Sequence, residues 1–258
     1  MGRIFVSISL KDAHGMVILE IEKLSKSFGG LVAVNDLTTT VEEGEILGLI
    51  GPNGSGKTTV FNLITGFLRP DTGRVAFKGV DITNAPNHTV CQRGIARTFQ
   101  LVKPFAHMTA LQNVMVGRTH GRKPAQNIKQ ARKESEEILH FVGLRDKEQI
   151  PGHHLTLVDR KKLELARALS TKPKLLLLDE MMAGLNPSET ADAMRLINEI
   201  RNSGITLIVV EHVMRAILGL SDRIIVLNVG MKIAEGTPQE IVKDGRVIEA
   251  YLGEASHA

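Results

Sequence analysis

Apolar and polar positions alternate with period two over residues 17–24 and 37–41, and the two runs are separated by a Phe28-Gly29-Gly30 turn. Such alternation reads as strands with one buried face, antiparallel in character. A Glu42-Glu43-Gly44 turn then leads into an apolar strand at 45–50. An amphipathic helical run at 60–64 follows, closed by Gly66. Arg69-Pro70-Asp71-Thr72-Gly73 is a turn signal before a strand at 74–78, and 95–100 is a further short strand. From 101 to 158 the period becomes helical, most clearly at 111–116 and 128–142, with no strand pattern. The earlier character then returns as helix 160–170, strand 174–178, helix 188–202 and strand 205–210. A strand at 223–227, a hairpin through Asn228-Val229-Gly230 to Ile233, and helices to 253 complete the chain. Buried strands alternating with helices predict an α/β protein whose mainly parallel core sheet is covered on both faces. An antiparallel β subdomain precedes that sheet and an α-helical subdomain is inserted at about 101–158. The expected division is an extension at 1–15, one domain at 16–253 and a tail at 254–258.

The extension carries its own alternation, Ile4-Phe5-Val6-Ser7-Ile8, which would suit an extra edge strand, and it lacks a long apolar signal segment. Its other reading is a stretch ahead of a native start at Met16. The 258 residues suffice for one large domain carrying an insertion. The longest apolar runs, 175–178 and 205–210, fall far short of the ~20 residues of a membrane span, so any membrane role is peripheral. Thirty-two basic against 28 acidic residues give a formal net charge of +4. With no Trp, a single Tyr and no dense basic block, that balance reads as a solvated surface and no nucleic-acid partner is expected. Cys91 is the only cysteine, which excludes an intrachain disulfide and a cysteine metal cluster and suits a reducing compartment.

Between the strand at 45–50 and the following helix lies Gly51-Pro52-Asn53-Gly54-Ser55-Gly56-Lys57-Thr58-Thr59, which satisfies the phosphate-binding pattern G-x-x-x-x-G-K-[ST] throughout. Its glycines let backbone N–H groups turn inward onto anionic oxygens. The helix that the loop opens favours the same anion. Lys57 reaches the β and γ phosphates and Thr58 offers its hydroxyl to Mg²⁺. The apolar strand 175–178 ends in Asp179-Glu180. Successive strand residues point to opposite sides, so the two carboxylates have different tasks. Asp179 is placed to hold Mg²⁺, usually through water, and Glu180 to polarise the water that attacks the γ-phosphate. ATP and Mg²⁺ are the expected ligands.

In this order and spacing, the motifs resemble the nucleotide-binding subunits of ABC transporters from Met16 to Gly253. The resemblance runs through the phosphate loop, Gln100 closing Arg97-Thr98-Phe99-Gln100, the helical insert, Asp179-Glu180, Ala183-Gly184-Leu185-Asn186-Pro187 and Val210-Glu211-His212. It implies an ABC ATPase cassette in which Gln100 touches Mg²⁺ and the lytic water while linking to the membrane subunits. It further implies that His212 reaches the γ-phosphate and that Phe28 stacks on adenine. Within the family, Phe28-Gly29-Gly30-Leu31-Val32-Ala33-Val34-Asn35, Thr65-Gly66-Phe67, Gly94-Ile95-Ala96 before Arg97, and Ala250-Tyr251-Leu252-Gly253 look like the branch that powers uptake of branched-chain and other hydrophobic amino acids. Subunits serving urea or amides are closely similar. The implied partners are two transmembrane permease subunits, a second ABC ATPase subunit (a heterodimer, with a homodimer as the other arrangement) and, indirectly, an extracytoplasmic solute-binding protein. The implied place is the cytoplasmic face of the inner membrane.

One stretch departs from the family. Where it carries Leu-Ser-Gly-Gly-Gln or a near variant, this chain has Leu155-Thr156-Leu157-Val158-Asp159. Thr156 keeps a hydroxyl for the partner's ATP, both glycines are gone, and the helix N-terminus behind them is expected still to favour an anion. Two other classes fit the sequence less well. A soluble ABC-type ATPase acting on ribosomes or DNA usually carries two cassettes or a long coiled-coil insert, and a P-loop GTPase needs an Asn-Lys-x-Asp guanine motif, which this sequence lacks.

Overall fold

The computed structural model describes residues 15–100 and 104–255. The expected edge strand near Ile4 and almost all of the 1–15 extension lie outside the described residues.

Two sheets form the scaffold. Strands β1 (Val17–Phe28), β2 (Leu31–Glu42), β4 (Thr72–Phe77) and β5 (Val80–Asp81) make an antiparallel sheet in the order β2-β1-β4-β5. The second sheet uses β3 (Ile46–Ile50), β6 (Ile95–Arg97), β7 (Leu175–Asp179), β8 (Thr206–Val210), β9 (Arg223–Asn228) and β10 (Met231–Gly236) in the order β10-β9-β3-β8-β7-β6. Five of these strands run parallel and β10 returns antiparallel along β9.

Strands β3, β7 and β8 are buried at every position, as expected when both faces are covered. Their alternation sorts side chains between two cores. Ile46, Ile50, Leu176, Leu178, Leu207, Val209, Ile224 and Val226 point into a core shared with the helices. The intervening Leu47, Leu49, Leu175, Leu177, Ile208, Val210, Ile225 and Leu227 point into a second core, shared with the antiparallel sheet and α1 (Lys57–Ile64). Gly48 is the exception in this set. A Cβ there would meet Ser221 Oγ at 2.6 Å and Ile224 Cγ1 at 3.0 Å, so a side chain would push α7 (Met214–Leu220) and β9 off the sheet.

The inserted region contributes α3 (Ala110–His120) and α4 (Ile128–Phe141), which pack on each other and on α5 (Leu157–Ser170). Thr109 and Asn127 cap α3 and α4 through their side-chain oxygens. The remaining helices are α2 (Asn87–Arg93), α6 (Pro187–Asn202), α8 (Pro238–Ile241) and α9 (Gly245–Ala255).

Several bounds differ from expectation. Strands β1 and β2 continue to the Phe28–Leu31 hairpin end because register shifts between Ile21 and Ser27 absorb positions that break the alternation. The strand expected at 95–100 stops at Arg97, since Thr98 turns its hydroxyl to the backbone N–H of Asp179. Helix α5 begins at Leu157, three residues early, because Thr156 caps it. Elements α2, α7 and β5 have seven, seven and two residues, too few for a period to show.

Candidate functional site

The loop between β3 and α1 approaches its neighbours so closely that only glycine fits at two points. A Cβ on Gly51 (φ +150°) would lie 2.1 Å from the Leu227 carbonyl oxygen, and one on Gly56 (φ +107°) 2.3 Å from that of Ala33. Lys57 is buried and folds back over the loop, its ammonium donating to the Gly51 and Pro52 carbonyls at 2.7 and 2.8 Å and to Ser55 Oγ at 3.3 Å. Asn53, Gly54 and Thr58 are exposed, and the first turn of α1 carries no acidic residue. The mouth of the loop is therefore cationic and rich in N–H groups, the environment an anion needs.

Asp179 ends β7 beside this loop and is almost fully buried. Burial raises its pKa and the Arg97 guanidinium, 2.9 Å away, opposes that shift. Arg97 also donates to Asn62 Oδ1 at 2.6 Å, tying β6, α1 and β7 together at the carboxylate. Glu180 leaves the strand with φ +49°, while its N–H stays bonded to the Val210 carbonyl at 2.9 Å. The two carboxylates have different partners, Arg97 for Asp179 and Gln100 with His212 for Glu180, and Glu180 takes its direction from a left-handed turn past the end of the strand. The Glu180 carboxylate lies between Gln100 Nε2 (2.9 Å to Oε2) and His212 Nε2 (2.7 Å to Oε1). Three residues from three separate loops thus meet at one carboxylate.

Phe28 is about half exposed at the hairpin end, with the Lys26 ammonium 5.7 Å from its ring centroid. The β2 strand runs beside the phosphate loop: the Asn35 N–H donates to the Gly230 carbonyl at 2.8 Å, and the Gly230 N–H to the Ser55 carbonyl at 3.1 Å. Phe28 thus sits at the end of the hairpin whose second strand touches the loop, and its half-exposed ring offers a face on which a planar base could stack. Thr156 stands apart from these groups at the start of α5. Its hydroxyl donates to Asp159 Oδ2 at 2.6 Å and accepts from the Asp159 N–H at 3.2 Å, and Lys147 Nζ adds a 2.6 Å bond to the same oxygen. Burial works against these bonds, yet together they hold the Asp159 carboxyl below the usual range. The end of α5 expected to welcome an anion thus already holds a carboxylate, and the Thr156 hydroxyl is engaged with it.

Sequence reasoning missed four buried charges around the site. Lys161, Glu164 and Glu211 each bind backbone of a loop that carries a site residue, and Arg97 pairs with Asp179. Their signal was faint: charges at apolar-face positions of α5, and an acid directly after the all-apolar β8.

A hard divalent cation suits the oxygens here, because Thr58 offers a hydroxyl, Asp179 a carboxylate and Gln100 an amide oxygen. Among the described residues no group of three or more His, Cys, Asp or Glu could hold a metal by itself. One protein carboxylate beside a phosphate loop is the arrangement of an ion held jointly with substrate phosphates and water.

A parallel sheet with a glycine-rich, lysine-bearing loop after β3 and a carboxylate pair after β7 defines a P-loop nucleoside triphosphatase. Residues 34–183 match the ABC transporter family, and residues 231–257 match the family described as branched-chain amino acid ATP-binding cassette transporter. The chain belongs to the ABC transporter family, as an ATP-binding cassette with ATPase activity. It is 39% identical over 251 residues to the high-affinity branched-chain amino acid transport ATP-binding protein BraF of Pseudomonas aeruginosa, covering 92% of this chain and 98% of that protein. The protein LivG of Escherichia coli K12, described in the same words, shares the same identity and coverage. The lipopolysaccharide export system ATP-binding protein LptB of Haemophilus influenzae is 36% identical over 239 residues, covering 93% and 98%. Among solved structures, the ADP conformation of MJ1267, an ATP-binding cassette of an ABC transporter, superposes with a TM-score of 0.84 at 33% identity, covering 92% of this chain and 99% of that one.

Proposed function

We propose that this chain is the ATP-hydrolysing subunit of an importer for branched-chain or other hydrophobic amino acids, bound at the cytoplasmic face of the inner membrane. The observation that carries the substrate branch is the match at 231–257, since overall identity separates amino-acid relatives from the export relative by only 39% against 36%. No helix among the described residues is long and apolar enough to cross a membrane, and the proposed assembly places the membrane path in separate permease subunits. Two such subunits, a second ABC ATPase and an extracytoplasmic solute-binding protein complete the proposed assembly.

In this reading Gly51 to Thr59 wrap the phosphates, and Lys57 exchanges its carbonyl partners for phosphate oxygens, a stronger charge-assisted contact. Phe28 stacks on the adenine. Thr58, Asp179 and Gln100 would hold Mg²⁺, which would supply neutralisation of phosphate charge. Glu180 orients the attacking water and accepts its proton. Gln100 and His212 keep that carboxylate aimed until a γ-phosphate draws His212 away. Thr156 is the residue of this chain nearest in role to the partner's nucleotide.

The test is reconstitution of the assembled transporter in proteoliposomes with labelled leucine outside and ATP inside. ATP-dependent uptake competed by isoleucine and valine is expected. Uptake of urea or amides without leucine transport would reject the substrate assignment.

A further inference from the structure

Helix α5 carries two buried charges three residues apart, Lys161 and Glu164, on one face of the helix. The Lys161 ammonium donates to the Met181 carbonyl at 3.1 Å, to that of Glu180 at 3.4 Å and to that of Ala183, all in the turn that follows β7. Glu164 Oε1 accepts the backbone N–H of Phe99 at 2.6 Å, one residue before Gln100. A third buried group closes the ring: Glu211 Oε1, next to His212, accepts the Met182 N–H at 2.8 Å. The loop that carries Gln100 is therefore held at the Phe99 N–H by Glu164, the turn after Glu180 is held by Lys161 and by Glu211 from the His212 loop, and two of these three buried ionisable groups sit on one helix.

We propose that Lys161 and Glu164 are positioning residues for hydrolysis, through which α5 sets the separation of Gln100 from Glu180. The 2.9 Å contact between those two side chains joins loops that leave different strands, β6 and β7. Backbone pairing of β6 with β7 ends at Arg97 and Leu177, and the Thr98 N–H to Leu177 carbonyl bond at 2.9 Å is the last link of that ladder. Beyond it the Thr98 hydroxyl and the Arg97 guanidinium still join the two strand ends at Asp179, and α5 adds a support common to the residues that follow, at Phe99 and at Glu180 to Ala183. Charge is suited to the task because three carbonyls converge on one point, which the three N–H donors of an ammonium can serve and an apolar side chain cannot. Burying these ions is a poor route to stability alone, since apolar residues of like volume would do as well or better.

This inference rests on the ATPase reading, and the experiment separates the two. Lys161→Met, Lys161→Arg, Glu164→Ala and Glu164→Gln are compared with the unmodified chain and with Glu180→Gln in the assembled transporter. Steady-state hydrolysis, fluorescent-ATP affinity and Tm are measured for each. Lys161→Met and Glu164→Ala are expected to lower kcat by about tenfold or more while ATP affinity stays within about twofold, the mark of an interaction expressed in the transition state. Lys161→Arg and Glu164→Gln keep a donor or an acceptor in place and are expected to recover most of the rate. Should Lys161→Met fail to fold, Glu164→Ala against Glu164→Gln carries the same comparison. Unchanged kcat in both disruptive variants, equal losses of kcat and ATP affinity, or no rescue by the conservative variants would overturn the positioning role. If Glu180→Gln hydrolysed ATP at the unmodified rate, the ATPase assignment of the site would fall instead.

Discussion

Glu180 shows how much one side chain's surroundings decide. Its two oxygens each meet one side-chain nitrogen, Gln100 Nε2 and His212 Nε2, and a carboxylate oxygen has a further lone pair with which to receive a proton from water. Glu180→Gln preserves shape and loses that basicity, so ATP binding should persist while turnover falls by at least about a hundredfold, within the usual range for a general base. Radiolabelled-ATP trapping on the purified variant checks both halves. His212→Ala should slow hydrolysis and leave ADP affinity unchanged, because the imidazole is expected to meet only the phosphate that is cleaved. Equal losses of ADP and ATP affinity in a binding titration would mark His212 as structural.

Glu211 belongs to the same scale. Burial pushes its pKa up to about 7, and its Oε2 has no hydrogen-bond partner among the described residues. A carboxyl whose folded pKa lies above its unfolded value binds more protons in the folded state, so its contribution to stability falls as pH rises from about 4.5 towards 7 and stays low above that. Glu211→Gln removes the titration. The stability difference between variant and unmodified chain should shift in favour of the variant by roughly 2 to 3 kcal/mol between pH 5 and pH 8. Urea unfolding at the two pH values measures it, and an equal difference at both would show that Glu211 is already ionised without cost.

At the scale of the element, α5 was legible as a helix and illegible at its tip. The Thr156 and Asp159 side chains close on one another, so the first turn carries a carboxylate where an incoming γ-phosphate would need N–H groups. Leu157, exposed and 4.0 Å from the Cβ that Gly184 lacks, adds bulk at the same place. This chain should therefore complete a partner's nucleotide poorly. Carrying Glu180→Gln and given ATP, it should remain monomeric. The same chain with Leu157→Gly, Val158→Gly and Asp159→Gln added should dimerise, as read by analytical ultracentrifugation. ATP-dependent dimerisation with the native tip would show that Asp159 swings clear.

For the whole molecule, the expected layers are present because the strands that build them announce themselves. An all-apolar strand such as β7 has no other stable place than a sheet covered on both faces, and a glycine-rich loop before an amphipathic helix has few uses besides holding an anion. Short elements escaped notice because α2 and β5 are held by the sheets they pack on and carry too few residues for a pattern of their own.

The sequence by itself determined the order of the longer strands and helices, the phosphate loop, and the identities of Asp179, Glu180, Gln100 and His212 as candidates, because period and motif are local properties of the chain. Only the tertiary structure decided that Gln100 and His212 converge on one carboxylate, that Arg97 faces Asp179, and that Lys161 and Glu164 hold the loops between them. Those contacts join residues some 20 to 80 positions apart, at 2.6 to 3.1 Å, and no local pattern encodes them. The physical reason is burial: a charge at an apolar-face position reads as a fault in the pattern until folding supplies the backbone group that it binds.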